Sequence, residues 1–397
     1  MTADDPFESL SLDWLVSKPG TKWRTPSPRL GAWIADMDFR PPEAVINALR
    51  AVVESGDLGY PTWNPRRHTP LVPLFVERMQ RRHGWVPETA NCREYDDVIQ
   101  GVRHVVHFMT RPGDGIVMHT PAYPPFHATW RSMHRRLVEV RAHATEAGWE
   151  FDYDDLDHRL RVEPGMARVW ILCHPQNPLG HVFGRAELER IAEIAERHDL
   201  IVISDEIHAE LVYAPHHHIP FESLGHDVSA RTVTFSSASK SFNLAGMRWA
   251  IAHIGAAPVR AAYATLPAHF AGISSIMAVA AVEAAWTHGD AWLAACVRHL
   301  DERRGQLGAL LAARLPGVSY RMPQANYLAW LDCRGLGLAE EPVEVFRRSG
   351  VELSAGPEFG TDGHGFVRLN FATSGAVLAE IVQRMARGVS SGSGPVR

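Results

Sequence analysis

Lys240 stands in the run Ser236-Ser237-Ala238-Ser239-Lys240-Ser241, directly after the apolar stretch Thr232-Val233-Thr234-Phe235. Small residues at a strand exit let another molecule approach the amine closely. Ser237 lies three residues before the lysine, Ser239 one before it, and Arg248 eight after it. Two hydroxyls, a guanidinium and nearby backbone N–H groups form the donor set that a bound phosphate needs. An amine beside such a cradle points to a Schiff-base lysine, with the phosphate of pyridoxal phosphate (PLP) as the anchor. Taken alone, the stretch reads equally well as a polar loop after an edge strand.

The rest of the chain supplies residues for the other end of that cofactor. Leu200-Ile201-Val202-Ile203-Ser204-Asp205-Glu206-Ile207-His208 is an apolar run ending in acids. In a parallel sheet, ligands sit outside the carboxyl ends of the strands. There Asp205 would hold a pyridinium nitrogen protonated, and His208 would reach the ring's 3-oxygen. A solvated or capping acid is the plainer reading of an isolated Asp-Glu pair. Asn177, in His174-Pro175-Gln176-Asn177-Pro178-Leu179-Gly180, sits in a tight loop after the strand Val169–Cys173 and offers an amide to the cofactor and a substrate carboxylate. Tyr123 follows the strand Ile116–Met118 and is placed to stack on a pyridine ring, although a lone tyrosine there more commonly packs. Gly101-Val102-Arg103 opens a helical stretch whose first N–H groups make an anion site, with the Arg103 backbone facing the phosphate. Arg368 alternates with apolar neighbours in Phe366-Val367-Arg368-Leu369-Asn370. A buried guanidinium needs a partner, either a substrate α-carboxylate in a bidentate clamp or an internal acid.

Composition removes several other classes. A formal charge of -5 gives no basic footprint for nucleic acid. Cys92, Cys173, Cys296 and Cys333 are widely spread, without a CxxC pair, which argues for free thiols in a reducing compartment. His216-His217-His218 suggests metal, but adjacent positions do not converge as ligands from regular structure, so a surface loop and no metal are expected. The acidic N-terminus lacks a signal-peptide pattern and no apolar run is long enough to span a membrane, so a cytoplasmic protein is expected. The tail Ser390–Arg397 reads as a frayed end.

These residues need a scaffold, and the sequence predicts an α/β one. Apolar runs at Ile116–Met118, Leu137–Val140, Val169–Cys173, Leu200–Ile203, Thr232–Phe235 and Trp249–Ile254 read as strands. Helical periodicity lies between them, as in Glu187–Ala195. That alternation predicts a mostly parallel mixed sheet covered by helices. Earlier, Pro41-Pro42 opens a helix to Ser55 that stops at Gly56, and a second helix runs to about His83. Past residue 275 long helices give way to β-like patches at Asn326–Leu331 and Phe366–Asn370 and a last helix after Ser374, predicting a smaller α+β domain. The expected divisions are an arm and part of the small domain at 1–55, a large domain at 56–288, and a C-terminal small domain at 289–397.

In order, Tyr123, Asn177, Asp205, Lys240 with Arg248, and Arg368 resemble the site residues of fold-type-I PLP enzymes, the aminotransferase class I/II superfamily. Within it, WIADMDF at Trp33–Phe39, GYPTW at Gly59–Trp63, SDEIHAELVY, SKSFNLAG and YLAWLD are similar to the MalY/PatB-type cystathionine β-lyases, or C–S lyases. The resemblance runs from about residue 20 to 388 and departs from the family at the crowded Gly101-Val102-Arg103 loop. It implies a homodimer with a shared active site, in which Tyr60 reaches the partner's cofactor phosphate and reacting centre, and Ala35 joins Arg368 and Asn177 at the substrate. The implied reaction is β-elimination from a cysteine S-conjugate, giving thiol, pyruvate and ammonia. Transamination shares its early steps, and decarboxylating or oxidative chemistry on S-conjugates is a further variant. A non-catalytic PLP-fold regulator is the alternative from another class; too few residues precede the first family motif for a DNA-binding domain, and no basic recognition helix is visible. Trp33, Tyr60, Tyr123, Phe126 and Phe359 would line an apolar pocket suited to a bulky thioether.

Overall fold

The computed structural model describes residues 6–24, 29–63, 68–146, 148–267 and 270–392. Parts of the expected N-terminal arm (1–5 and 25–28) and the end of the tail (393–397) lie outside the described residues. The chain forms two units, one of Pro41–Gln176 with His181–Leu293, the other of Met1–Arg40, Asn177–Gly180 and Ala294–Arg397. These divisions differ from the sequence boundaries at 55 and 288. Helix α1 (Glu43–Ser55) packs on α7 (Ile276–His288), and both belong to the larger unit.

The larger unit is built on eight strands: β1 (Cys92–Tyr95), β2 (Gly115–Thr120), β3 (Arg136–Thr145), β4 (Gly148–Phe151), β5 (Ala167–Cys173), β6 (Ile201–Asp205), β7 (Thr232–Ser236) and β8 (Ala250–Ile254). Their spatial order is β1-β8-β7-β6-β5-β2-β3-β4. The run from β7 to β3 is parallel, while β8, β1 and β4 pair antiparallel with their neighbours. The central strands read as near-continuous apolar runs because both of their faces are covered. On one face, α3 (Val98–Met109) packs Val102, Val105 and Val106 into a core with Ile203, Val233 and Phe235, all buried. Gly101 makes this approach possible: a Cβ there would overlap the Phe235 ring. Helix α1 follows Pro42 and ends on Gly56 in the left-handed region, at φ 69°. Helix α2 (Leu71–His83) likewise ends on Gly84.

The smaller unit carries a four-stranded antiparallel sheet of β9 (Ser319–Tyr320), β10 (Leu328–Asp332), β11 (Ser354–Ala355) and β12 (Phe366–Asn370), in the order β9-β10-β12-β11. The N-terminal segment is stitched into it. Leu30–Gly31 pairs in parallel with Val351–Glu352 as a separate two-stranded sheet, and from β12 the Asn370 amide donates to the Ile34 and Asp36 carbonyls at 2.7 Å each. Asn177–Gly180 is held here because Gln324 and Ala325 donate their N–H groups to the Gly180 carbonyl, at 2.9 and 3.0 Å. Among the described residues, no helix is long and apolar enough to cross a membrane.

Candidate active site

Strand β7 is buried as far as Phe235, and the chain then turns into one helical turn, Ala238–Ser241, that presents Lys240. Ser237 builds the turn. Its Oγ accepts the Ser239 N–H at 3.0 Å and donates to the Trp249 carbonyl at 2.6 Å. That second bond ties the lysine turn to the residue just before β8. Arg248 ends the intervening loop at φ 55° and ψ 67°, a left-handed conformation that costs a non-glycine residue about 1 kcal/mol or more. Its guanidinium lies 2.7 Å from the Asp97 carboxylate.

Asp97 caps α3, accepting the Gln100 N–H at 2.7 Å. The sequence reading placed the helix start at Gly101-Val102-Arg103, and the structure corrects this. The helix opens at Val98, so its leading amides belong to Val98, Ile99 and Gln100. Gly101 donates its N–H to the Asp97 carbonyl at 3.4 Å, Val102 is buried in the core, and the Arg103 side chain turns to the Thr129 hydroxyl at 3.4 Å. The missed signal was present: Asp-x-x-Gln at 97–100 is the spacing of a helix-start motif. In this instance the Gln100 side chain reaches back one residue further, accepting the Asp96 N–H at 2.9 Å.

Asp205 lies at the end of β6, opposite Phe235 of β7 on one side and Cys173 of β5 on the other. Thus the acid and the lysine turn leave the carboxyl ends of adjacent parallel strands. Asp205 is buried and accepts the Ile207 N–H at 3.2 Å. Burial pushes its carboxyl up to about 7; the Ile207 N–H opposes the rise, Glu206 adds to it, and Lys240 opposes it. The His174 N–H fixes the Asp205 carbonyl at 2.9 Å. His208 is buried in the turn after β6. Tyr123 precedes α4 (Pro124–Ser132), half-buried and edge-on to the buried Phe126 ring at 5.7 Å.

The histidine triplet departs from a simple surface loop. His218 is buried, with Nε2 2.8 Å from Glu206 Oε2. Glu206 also accepts the Ser204 hydroxyl at 2.8 Å and the Phe221 N–H at 2.9 Å. Burial lowers His218 to about 3 and raises Glu206. His217 is exposed and His216 half-buried. Among the described residues, no three His, Cys, Asp or Glu side chains gather as a metal would require, and the four cysteines are buried free thiols.

In the smaller unit Arg368 is buried on β12, where it faces Ser354 and Trp330 across the strands. It donates to the Asn177 side-chain oxygen at 3.1 Å, the Trp33 carbonyl at 2.8 Å and the Ser354 hydroxyl at 3.2 Å. Its guanidinium also lies 4.9 Å from the centre of the Phe359 ring, itself fully buried against Trp330. Ala35 is buried and its carbonyl accepts the Tyr327 hydroxyl at 2.9 Å. Tyr60, in contrast, is 79% exposed and stands edge-on to Trp63 at 5.8 Å.

The larger unit's donor chemistry fits a phosphate-bearing pyridine aldehyde. The turn that carries Lys240 is tied to Trp249, the neighbour of Arg248, whose guanidinium meets the cap of α3, and a buried acid on the next strand suits a protonated ring nitrogen. Fold and donor set together define a fold-type-I enzyme of the PLP class. The chain belongs to the family described as aminotransferase class I and II, whose sequence profile matches residues 99–385. It is 32% identical to the cystathionine beta-lyase PatB of Bacillus subtilis over 364 residues, 91% of this chain and 92% of that one. It is 30% identical to the cystathionine beta-lyase of Corynebacterium glutamicum over 381 residues, 94% of this chain and 98% of that one. Among solved structures, cystalysin from Treponema denticola, which contains a pyridoxal 5'-phosphate cofactor, superposes with a TM-score of 0.88 at 25% identity, covering 98% of this chain and 99% of that one.

Proposed function

We propose that the protein binds PLP through Lys240, Asp205, Arg248 and the start of α3, and cleaves the C–S bond of cystathionine-like thioethers or cysteine S-conjugates by β-elimination. The products are a thiol, pyruvate and ammonia. The observation that carries the cofactor assignment is the placement of Lys240 and Asp205 at the carboxyl ends of adjacent parallel strands, with Phe235 and Asp205 in register. Elimination follows the activity of the lyases to which the chain is similar.

Bound PLP supplies an electron sink for the pair left at the substrate's Cα. Lys240 Nζ would anchor the cofactor and would serve as the base that takes the substrate's Cα proton. Asp205 keeps a proton on the ring nitrogen. Ser239 and Arg248 would serve the phosphate; Ser237, whose one hydroxyl proton goes to the Trp249 carbonyl, holds the turn and would reach the phosphate only by giving up that bond. Gly101-Val102-Arg103 contributes by letting α3 approach β7. Tyr123 would pack against one face of the cofactor ring, and His208 would bond its 3-oxygen. Arg368, Asn177 and the Ala35 backbone take the α-carboxylate; Arg368 is already aimed by three neutral oxygens. Departure of a stabilised thiolate from Cβ leaves the protein mainly the task of orientation.

Tyr60 serves the site of a second copy in a homodimer. Supporting this, Val53, Leu58 and Tyr60 are 60%, 64% and 79% exposed on one short stretch, apolar surface that a second copy would cover. The free cysteines suit a reducing, cytoplasmic setting.

The deciding experiment feeds the purified protein cystathionine and bulkier S-alkyl-cysteines. Pyruvate, ammonia and free thiol in equal amounts support elimination. Amino-group transfer to a keto acid without thiol release rejects it in favour of transamination, and carbon dioxide release or oxygen uptake identifies the decarboxylating or oxidative variant.

A further inference from the structure

The Asp97 carboxylate engages two kinds of donor at once. One oxygen takes the Gln100 N–H at the start of α3, and the other lies against the Arg248 guanidinium, each at 2.7 Å. A helix-terminal amide and an arginine are also what a phosphate monoester uses. Both side chains keep solvent access, at 34% for Asp97 and 65% for Arg248. The left-handed backbone at Arg248 aims the pair from the β8 side, while the cap fixes it from the α3 side. Asp96, adjacent in sequence, is held separately, its carboxylate 3.4 Å from the Gln100 side-chain amide.

We propose that Asp97 is a resident anion that competes with the cofactor phosphate for Arg248 and the α3 N-terminus, weakening cofactor retention so that the cofactor exchanges. This rests on the reading that those donors take the phosphate. A phosphate near pH 7 carries close to two negative charges. Bringing it beside a fixed carboxylate opposes binding, and the opposition weakens with salt because both charges reach solvent.

The test measures equilibrium binding of PLP, and separately of inorganic phosphate, to the full chain stripped of cofactor, comparing wild type with Asp97→Asn and Arg248→Gln. Asparagine caps a helix as well as aspartate does, so the fold of α3 is preserved. Asp97→Ser, another capping residue, is the second uncharged variant should the asparagine protein fold poorly. The expected result is roughly tenfold tighter PLP binding in either uncharged variant at low salt, shrinking as salt rises. Inorganic phosphate should tighten in the same sense. Unchanged or weaker binding in both variants overturns the proposal, because Asp97 would then only cap α3 or orient Arg248. Arg248→Gln reports on the underlying assignment: if it leaves both affinities untouched, the phosphate site itself is misplaced.

Discussion

Arg368 donates to the side-chain oxygen of Asn177 at 3.1 Å, joining a strand residue to a loop residue 191 positions earlier in the chain. The Trp33 carbonyl and the Ser354 hydroxyl complete the fixation, so protein contacts alone set the guanidinium plane. Pre-set arginine loses little freedom when it takes a carboxylate in two parallel bonds. Lysine keeps the charge but neither the fork nor the bonds to Asn177 and Trp33. Arg368→Lys should therefore lower kcat/KM for an amino-acid thioether by about 100-fold, on the scale of one or two charge-assisted hydrogen bonds. Most of the loss should appear in KM. A variant with wild-type KM would remove Arg368 from substrate binding.

Asp205 makes stability of the cofactor-free protein depend on pH. Burial raises its carboxyl from 3.8 to about 7, so the folded state favours the protonated acid. The stability associated with that proton is fully present below the unfolded value near 3.8 and lost as pH rises through about 7. Asparagine carries no such penalty. Cofactor-free Asp205→Asn should match wild type near pH 4 and exceed it by roughly 2–4 kcal/mol at pH 8, read by urea unfolding. The same substitution should abolish turnover, since a neutral amide does not hold the ring-nitrogen proton. Equal stability of the two proteins at pH 8 would show that the acid is not strained by burial.

Lys240 gives the direct check on cofactor attachment. Lys240→Ala removes the only amine that the site assignment uses, while the Ser237 bonds to Ser239 and Trp249 hold the turn. The variant should lose the visible absorption of a lysine-bound cofactor and at least about 1,000-fold in turnover, as expected when one group is both the attachment point and the general base. Retention of either property places the attachment at another lysine.

The parts of this architecture that could be read in advance share a physical cause. Strands β5, β6 and β7 are buried on both faces, so they read as unbroken apolar runs whose ends announce Asn177, Asp205 and Lys240. Strand β1 escaped because it is an edge strand carrying Arg93 and Glu94 between Cys92 and Tyr95. The start of α3 was displaced by the prominence of Gly101, whose role is close packing on Phe235. Burial of His218 was illegible because its partner Glu206 lies twelve residues away and neither residue type signals an interior position. The clamp around Arg368 depends on Trp33, Asn177 and Ser354, contacts between segments that no local periodicity connects.

Asp157, fully buried on α5 (Tyr153–Val162), is the clearest electrostatic stability element away from the site. Burial alone would raise its carboxyl, but bonds from His198 at 2.7 Å and from Arg197 and Arg161 at 2.5 Å each hold it well below the ordinary aspartate range. Arg197 ends α6 (Arg185–Arg197) and His198 follows it, so the carboxylate clasps two neighbouring helices. Sequence spacing foreshadows only the Arg161 bond, four residues along the same helix. Asp157→Asn keeps the shape but gives up the charge and leaves the cations facing an amide. The arginines are partly exposed, 62% for Arg161 and 45% for Arg197, so solvent screens part of the loss. A destabilisation of about 2 kcal/mol is expected at pH 7. Because the folded carboxyl is depressed, this stabilisation is complete above the ordinary value of 3.8 and fades as pH falls below it. The wild-type advantage in thermal or urea unfolding should therefore shrink on acidification below 4. A difference that persists undiminished at pH 3 would assign the effect to packing of the side chain, with no part for its charge.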